Sequence, residues 1–221
     1  MDGTTPYHTD LENRLAEFFR YSDSQEDTSA LLFNSGYDAN VSFFSTIPQR
    51  GDYIVYDELV HASVWDGMRA NSRRGVPETS RFSFAHNSVQ ALEKKLNNII
   101  QQESKKSSSG MIYIAIESLY SMYGDLCPLT ELVEVLQRLS RRHPSVINPK
   151  RICLILDEAH TTGVQGANGR GLAWDLDHRA TSSSNGNLRD WVQVRIMTFG
   201  KAVGSQGGKW SRPRARPPRP S

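Results

Sequence analysis

The stretch from Arg151 to Gly171, Arg-Ile-Cys-Leu-Ile-Leu-Asp-Glu-Ala-His-Thr-Thr-Gly-Val-Gln-Gly-Ala-Asn-Gly-Arg-Gly, constrains the fold more than any other. A continuous apolar run ends in Asp157, and His160 and the glycines 163, 166, 169 and 171 follow. An apolar run without alternation reads as a parallel strand buried on both faces. In an open α/β sheet, ligands bind beyond the carboxyl ends of such strands. Asp157 is therefore expected at the rim of a mostly parallel sheet, facing a ligand.

Two chemistries place Asp-Glu-Ala-His at a strand end. In P-loop nucleotide hydrolases the acid holds magnesium, and the chain must also supply G-x-x-x-x-G-K-[ST]. The nearest matches, Gly200-Lys201 and Gly208-Lys209, have Arg195 and Val203 where the first glycine belongs and Ala202 and Trp210 where Ser or Thr belongs. That leaves a nucleotide-dependent ATPase as a remote alternative only. In pyridoxal 5'-phosphate (PLP) catalysis an aspartate pairs with the protonated pyridine nitrogen, so that the ring becomes an electron sink. A lysine then holds the aldehyde as a Schiff base. Trp191–Met197 reads as another strand, leading into Thr198-Phe-Gly-Lys-Ala. Lys201 falls just past that strand among small residues, which admit a cofactor, and is the Schiff-base candidate.

The order Asp157-Glu-Ala-His160-x-x-Gly-x-x-Gly-x-x-Gly-Arg-Gly, then Thr198-Phe-Gly-Lys201-Ala, resembles the α-oxoamine synthases. These are fold-type-I PLP enzymes, like aminotransferases of class I and II, that condense an amino acid with an acyl-CoA thioester and lose carbon dioxide. The likeness spans most of residues 5–208 and is greatest to the 8-amino-7-oxononanoate synthases of biotin biosynthesis, which use alanine and pimeloyl-CoA. It implies an α/β fold: the three-layer large domain of PLP-dependent transferases, with a mostly parallel central sheet, here incomplete. It also implies PLP as cofactor, amino-acid and acyl-CoA substrates, and a homodimer.

Taken in chain order, Leu11, Leu15, Phe18 and Phe19 recur at helical spacing, with Asp10 as the expected cap. Ala30–Phe33 reads as a strand, and Asn34-Ser-Gly36-Tyr37 as the turn into a helix. Such a turn exposes backbone N–H groups that suit a phosphate, and it also suits a plain strand-to-helix connection. The resemblance gives Gly36 and Tyr37 the cofactor phosphate. After a strand at Asp52–Tyr56, His61-Ala-Ser is either a helix start or, by resemblance, the imidazole stacked on the cofactor ring. Thr79–Phe84 reads as a strand, the segment from Ser88 as an amphipathic helix with a solvated charged face, and 105–110 as a flexible connection. Ser121, in Ser-Met-Tyr-Gly-Asp after a strand at Met111–Ile116, is a turn residue or, by resemblance, a neighbour of the cofactor's 3-oxygen. The resemblance gives that oxygen to His160 as well and the phosphate to Thr198. The candidate catalytic set is Lys201, His61, Asp157 and His160.

No metal-ligand pattern accompanies the two cysteines, Cys127 and Cys153, which read as buried reduced thiols. With no apolar run near the roughly 20 residues of a membrane helix and no secretory leader, a cytoplasmic protein is expected, with peroxisome and mitochondrion left open. Net charge is +2, but residues 209–221 carry one Lys and four Arg, so removing those five charges leaves −3. A nucleic-acid partner is not expected, since its basic surface would lie on the folded domain. Residues 1–208 read as the PLP-binding domain. The Pro- and Arg-rich segment 209–221 reads as a disordered tail or a gene-model artefact, because prolines remove ladder donors. Segments that the family carries before and after this stretch are expected to be missing. An inactive homologue or a non-catalytic subunit is accordingly the alternative reading, and weak PLP binding is expected of the chain alone.

Overall fold

The computed structural model describes residues 3–20, 28–71, 75–104, 110–179 and 188–213. The elements run α1 (Pro6–Phe18), β1 (Thr28–Phe33), α2 (Gly36–Thr46), β2 (Tyr53–Asp57), α3 (Ala62–Ala70), β3 (Arg81–Phe84), α4 (Val89–Glu103), β4 (Ile112–Glu117), β5 (Leu119–Tyr120), β6 (Asp125–Leu126), α5 (Leu129–Arg142), β7 (Ile152–Asp157), α6 (Leu172–Arg179), α7 (Leu188–Trp191), β8 (Val192–Thr198) and β9 (Gly208–Pro213). Seven strands form one sheet in the order β1-β9-β8-β7-β4-β2-β3. The pairs among β8, β7, β4, β2 and β3 are parallel, and β9 runs antiparallel to both β8 and β1. This is the expected three-layer α/β architecture with a mostly parallel sheet.

The layers follow from strand periodicity, because successive side chains leave opposite faces of a strand. Ile114, Ile116, Leu154 and Leu156 pack with α4 and α5 residues such as Leu96, Leu132 and Leu136. Tyr113, Ala115, Cys153 and Ile155 pack with Phe43 and Phe44 of α2 and Val64 and Met68 of α3. β4 and β7 are buried along their whole length, which is why they read as unbroken apolar runs. Cys127 and Cys153 are free and buried. No helix among the described residues is long and apolar enough to cross a membrane.

Three local expectations change. The cap of α1 is Thr5, which forms a capping box with His8, whereas Asp10 lies inside the helix, paired with Arg14 at 2.9 Å. Residues 78–80 form a 3-10 turn, so the strand begins only at Arg81. The largest change is at 208–213, which forms a strand between β1 and β8 rather than part of a tail. The first proline after Gly208 is Pro213, the last residue in the register with β1. The ladder donors of 208–212 are therefore intact. Lys209, expected to belong to the tail, is fully buried: its Nζ donates to the Leu15 carbonyl at 3.2 Å and sits 4.0 Å from the Phe19 ring centroid. Burial first, and the nearby Arg195 next, hold its ammonium well below the usual lysine range. Residues 214–221, and all of the connection expected at 105–110 except Gly110, lie outside the described residues.

Ser211 is paired to Ala30 on one side and Arg195 on the other. Ser211→Pro is expected to lower unfolding free energy by about 3 kcal/mol or more, measured by denaturant titration.

Candidate active site

Four parallel strands end along one rim of the sheet: β2 at Asp57, β4 at Glu117, β7 at Asp157 and β8 at Thr198. Alternation assigns Asp157 to the α2 face, the face of Cys153 and Ile155. There Asn40 of α2 donates its Nδ2 to Asp157 Oδ2 at 2.7 Å, while the Ala159 backbone N–H donates to Oδ1 at 2.9 Å. The carboxylate is 8% exposed. It is held from behind and from the side, with its orientation fixed at the rim.

Glu158 points to the other face. It is wholly buried, accepts from Arg195 Nε at 2.5 Å, and takes the Ala173 N–H at 3.0 Å. Arg195 also donates to the Phe19 carbonyl at 3.0 Å and to the Arg170 carbonyl. This ion pair ties α1, the loop after β7 and α6 to β8. Gly171 allows it: its φ is +96°, and a side chain there would meet the Glu158 carboxylate. Loss of either partner would leave a lone charge in the core, at a cost of about 3–5 kcal/mol. The second acid of Asp-Glu-Ala-His is thus committed to structure.

His160 and Lys201 meet above Asp157, with Lys201 Nζ 2.5 Å from His160 Nε2. The lysine is exposed as a residue, yet its ammonium lies against protein. Desolvation lowers its pKa, although Asp157 and Glu117 pull it upward. His160 is also shifted down, by desolvation and then by the Lys201 charge. Glu117 pairs with Asp157 across the β4–β7 ladder. Burial first and the Asp157 charge second raise its pKa to about 8, while a bond from the His61 backbone and the Lys201 charge act against that rise.

His61 caps α3, its Nδ1 accepting from the Ser63 backbone N–H at 3.3 Å and lying 2.8 Å from Ser63 Oγ. Its ring meets that of Tyr37 edge to face at 6.1 Å. Both sequence readings of His61 are compatible with this placement, at a helix start and on the side of the site. The Tyr37 hydroxyl is engaged by Asp66, which raises its pKa through that hydrogen bond. Gly36 begins α2 behind the Ser35 cap, whose Oγ accepts the Asp38 N–H at 3.0 Å. A Cβ on Gly36 would collide with the Thr198 hydroxyl. The start of α2 and Thr198 are therefore in close contact, which sets the backbone N–H groups of a helix N-terminus beside a hydroxyl, an arrangement that suits an anion.

Asp157, His160, Lys201, Gly36 and Thr198 are thus gathered at one rim, with His61 and Tyr37 at its edge. Ser121 lies in the exposed turn between β5 and β6, with no hydrogen bond to the others among the described residues. Asn40 and Glu117 complete the site without having been foreseen. The one available signal for Glu117 was an acid directly after an apolar strand, the pattern that marked Asp157. No group of three or more His, Cys, Asp or Glu side chains among the described residues could hold a metal ion.

Residues 3–210 match the family described as aminotransferase class I and II. The chain belongs to that family. Within it, the 8-amino-7-oxononanoate synthase of Emericella nidulans is 41% identical over 94% of this chain and 44% of its own length. The serine palmitoyltransferase of Sphingomonas wittichii superposes with a TM-score of 0.72 at 31% identity, covering 97% of this chain and 44% of that one. A serine palmitoyltransferase from S. paucimobilis with bound PLP–myriocin gives 0.70 at 28% identity over 97% and 44%. These names are those of the α-oxoamine synthases, as the motifs indicated. The chain spans somewhat less than half the length of the relatives it matches. PLP is the family's cofactor, and the donor set fits it. A fixed carboxylate, an amine of lowered pKa and a helix N-terminus in close contact with a hydroxyl are the three things such a group requires.

An acid whose pKa is raised on folding stays protonated where the unfolded chain has ionised, so stability falls as pH rises between the two values. For Glu117 that window runs from about 4.5 to about 8. Denaturant titrations at pH 5, 6.5 and 8 are expected to show the native chain losing stability across this range. Glu117→Gln is expected to flatten the slope, by up to about 1.4 kcal/mol per pH unit.

Proposed function

We propose that the chain carries the PLP-binding part of an enzyme that condenses an amino acid with an acyl-CoA thioester and releases carbon dioxide. The particular reaction is 8-amino-7-oxononanoate synthesis from alanine and pimeloyl-CoA, in biotin biosynthesis, by a homodimeric protein of the cytoplasm. The observation that carries the reading is the convergence of Lys201, His160 and the Asn40-held Asp157 beside the Gly36–Thr198 cradle. The 41% identity to a named 8-amino-7-oxononanoate synthase supports the choice of substrates.

In this reading Asp157 holds a proton at the pyridine nitrogen, and Asn40 keeps the carboxylate aimed there. PLP, when bound, supplies the electron sink for bonds broken at the amino-acid α-carbon. Lys201 Nζ would anchor the cofactor's aldehyde carbon. Desolvation lowers its pKa, which favours the unprotonated amine, the form that can take up and return a proton. His160, in contact with Nζ and itself shifted toward the neutral imidazole, donates to or accepts from that amine and would hydrogen-bond the cofactor's 3-oxygen. The Gly36 and Tyr37 backbone N–H groups and the Thr198 hydroxyl bind the phosphate. The Tyr37 hydroxyl is already given to Asp66, so Tyr37 contributes through its ring by setting His61, whose imidazole would stack on the cofactor ring. Ser121 would reach the 3-oxygen from the β5–β6 turn.

The test is the absorbance spectrum of the purified chain with added PLP, followed by borohydride reduction and peptide mapping. With PLP in excess, as the weak affinity expected of the chain alone requires, a visible band that reduction fixes on Lys201 is expected, together with its loss in Lys201→Ala. Gly36→Ala is expected to weaken PLP binding at least about tenfold, or ~1.4 kcal/mol, because its methyl group would collide with the Thr198 hydroxyl and push it from the start of α2. PLP captured equally well by Lys201→Ala would remove the assignment.

A further inference from the structure

One cluster beside the site is not used by the roles above. Asp57, at the end of β2, is 1% exposed in its side chain, and His86 lies between it and Asp125. His86 Nδ1 is 3.0 Å from Asp57 Oδ1, and Nε2 is 2.9 Å from Asp125 Oδ2. A carboxylate oxygen can only accept, so an imidazole between two of them needs a hydrogen on each nitrogen. Either neutral tautomer would set a bare lone pair against a carboxylate.

Neighbouring groups lead to the same conclusion. The Asn87 amide nitrogen, 3.3 Å from His86 Nε2, is a donor that has its own acceptor, Asp125 Oδ2, at 2.8 Å. Asn87 holds a left-handed backbone with φ of 51°, which lets its N–H reach Asp57 Oδ2 at 2.8 Å. The charged group on the remaining side is Glu58, whose Oε1 takes the His86 backbone N–H at 3.0 Å. The His86 ring is boxed by Tyr120 edge-on at 4.5 Å and Tyr123 in parallel at 5.9 Å. Three acids and two aromatic rings thus surround one imidazole. Partial burial, the largest single influence on its pKa, acts downward, but the bonds to Asp57 and Asp125 outweigh it and the net shift is upward.

The grip matters because of what Asp125 belongs to. It opens β6, and the β5–β6 ribbon is only two residues long on each strand. So short a hairpin has little stability of its own. Its turn carries Ser121. We propose that His86 is a positioning residue, a standing imidazolium that clips the β5–β6 hairpin to the end of β2 and so places Ser121 beside the rim of the sheet. That Ser121 faces a cofactor there rests on the proposed function; the clip itself does not. A histidine held by carboxylates gives its full contribution below its free pKa and loses it as pH rises through the raised value. The hairpin is therefore docked at neutral pH and released on the alkaline side.

The experiment uses the 221-residue chain. Nitrogen chemical shifts of the His86 ring between pH 6 and 9.5 are expected to show both nitrogens protonated at pH 7, and a neutral ring at that pH would overturn the proposal. Hydrogen exchange of the amides of residues 121–125, corrected for the intrinsic rate, is expected to lose protection at least fivefold over the same titration in the native chain. In His86→Gln, which cannot titrate, protection is expected to be low at pH 7 and flat with pH. Undiminished protection in that variant would also overturn it, provided its circular dichroism and midpoint of unfolding show a folded chain. Borohydride trapping of PLP on Lys201 is read alongside. Trapping that falls with the hairpin's protection supports the placement of Ser121. Normal exchange and ring behaviour with unchanged trapping refutes that placement and leaves the clip standing. Absence of trapping at every pH indicts the proposed function instead.

Discussion

A strand buried on both faces can present consecutive side chains only to opposite layers, and β7 turns that rule into a division of labour. Asp157 faces α2 and meets Asn40; Glu158, one residue on, faces the other layer and meets Arg195. One acid is left at the rim for chemistry. Its neighbour anchors the loop that carries His160 away from the sheet. The rim carboxylate can be rigid because the residue beside it is bonded into the core, where geometry is set by close packing.

The same rule explains what gathers around it. β4 and β7 run parallel with Glu117 opposite Asp157, so two acids share the α2–α3 face. Two close carboxylates in a half-dry site do not both ionise readily. The structure resolves this by leaving Asp157 with hydrogen-bond donors and raising Glu117 toward neutrality.

Much of this was legible in the sequence. The unbroken apolar runs of β4 and β7 announced buried parallel strands, and Asp157, His160, Thr198 and Lys201 stand at strand ends because the motifs placed them there. Asn40 was not legible. It reaches Asp157 across 117 residues of chain, and nothing in an Asn on a helix declares its partner. His86 was passed over for the same reason, its acids lying on two other elements. The reading of 209–213 failed differently, by giving a proline-rich composition more weight than the position of the first proline. Ser121 is exposed in a turn, where local sequence defines the bend but not what the bend faces.

The placement of β9 has a consequence for how the chain acquires its shape. Among the described residues β1 joins the sheet through β9 alone, with Thr28 opposite Pro213 and Phe33 opposite Gly208. An early segment must therefore wait for a late one before it has anything to pair with, the non-local closure that slows folding. During synthesis, β1 and the flank of β8 would both stand as open edges until residue 213 leaves the ribosome. Such edges invite pairing with other chains. The order of assembly is thus inward-first: the parallel strands β2, β4 and β7 can set the acids of the rim, and the antiparallel pair seals the border last.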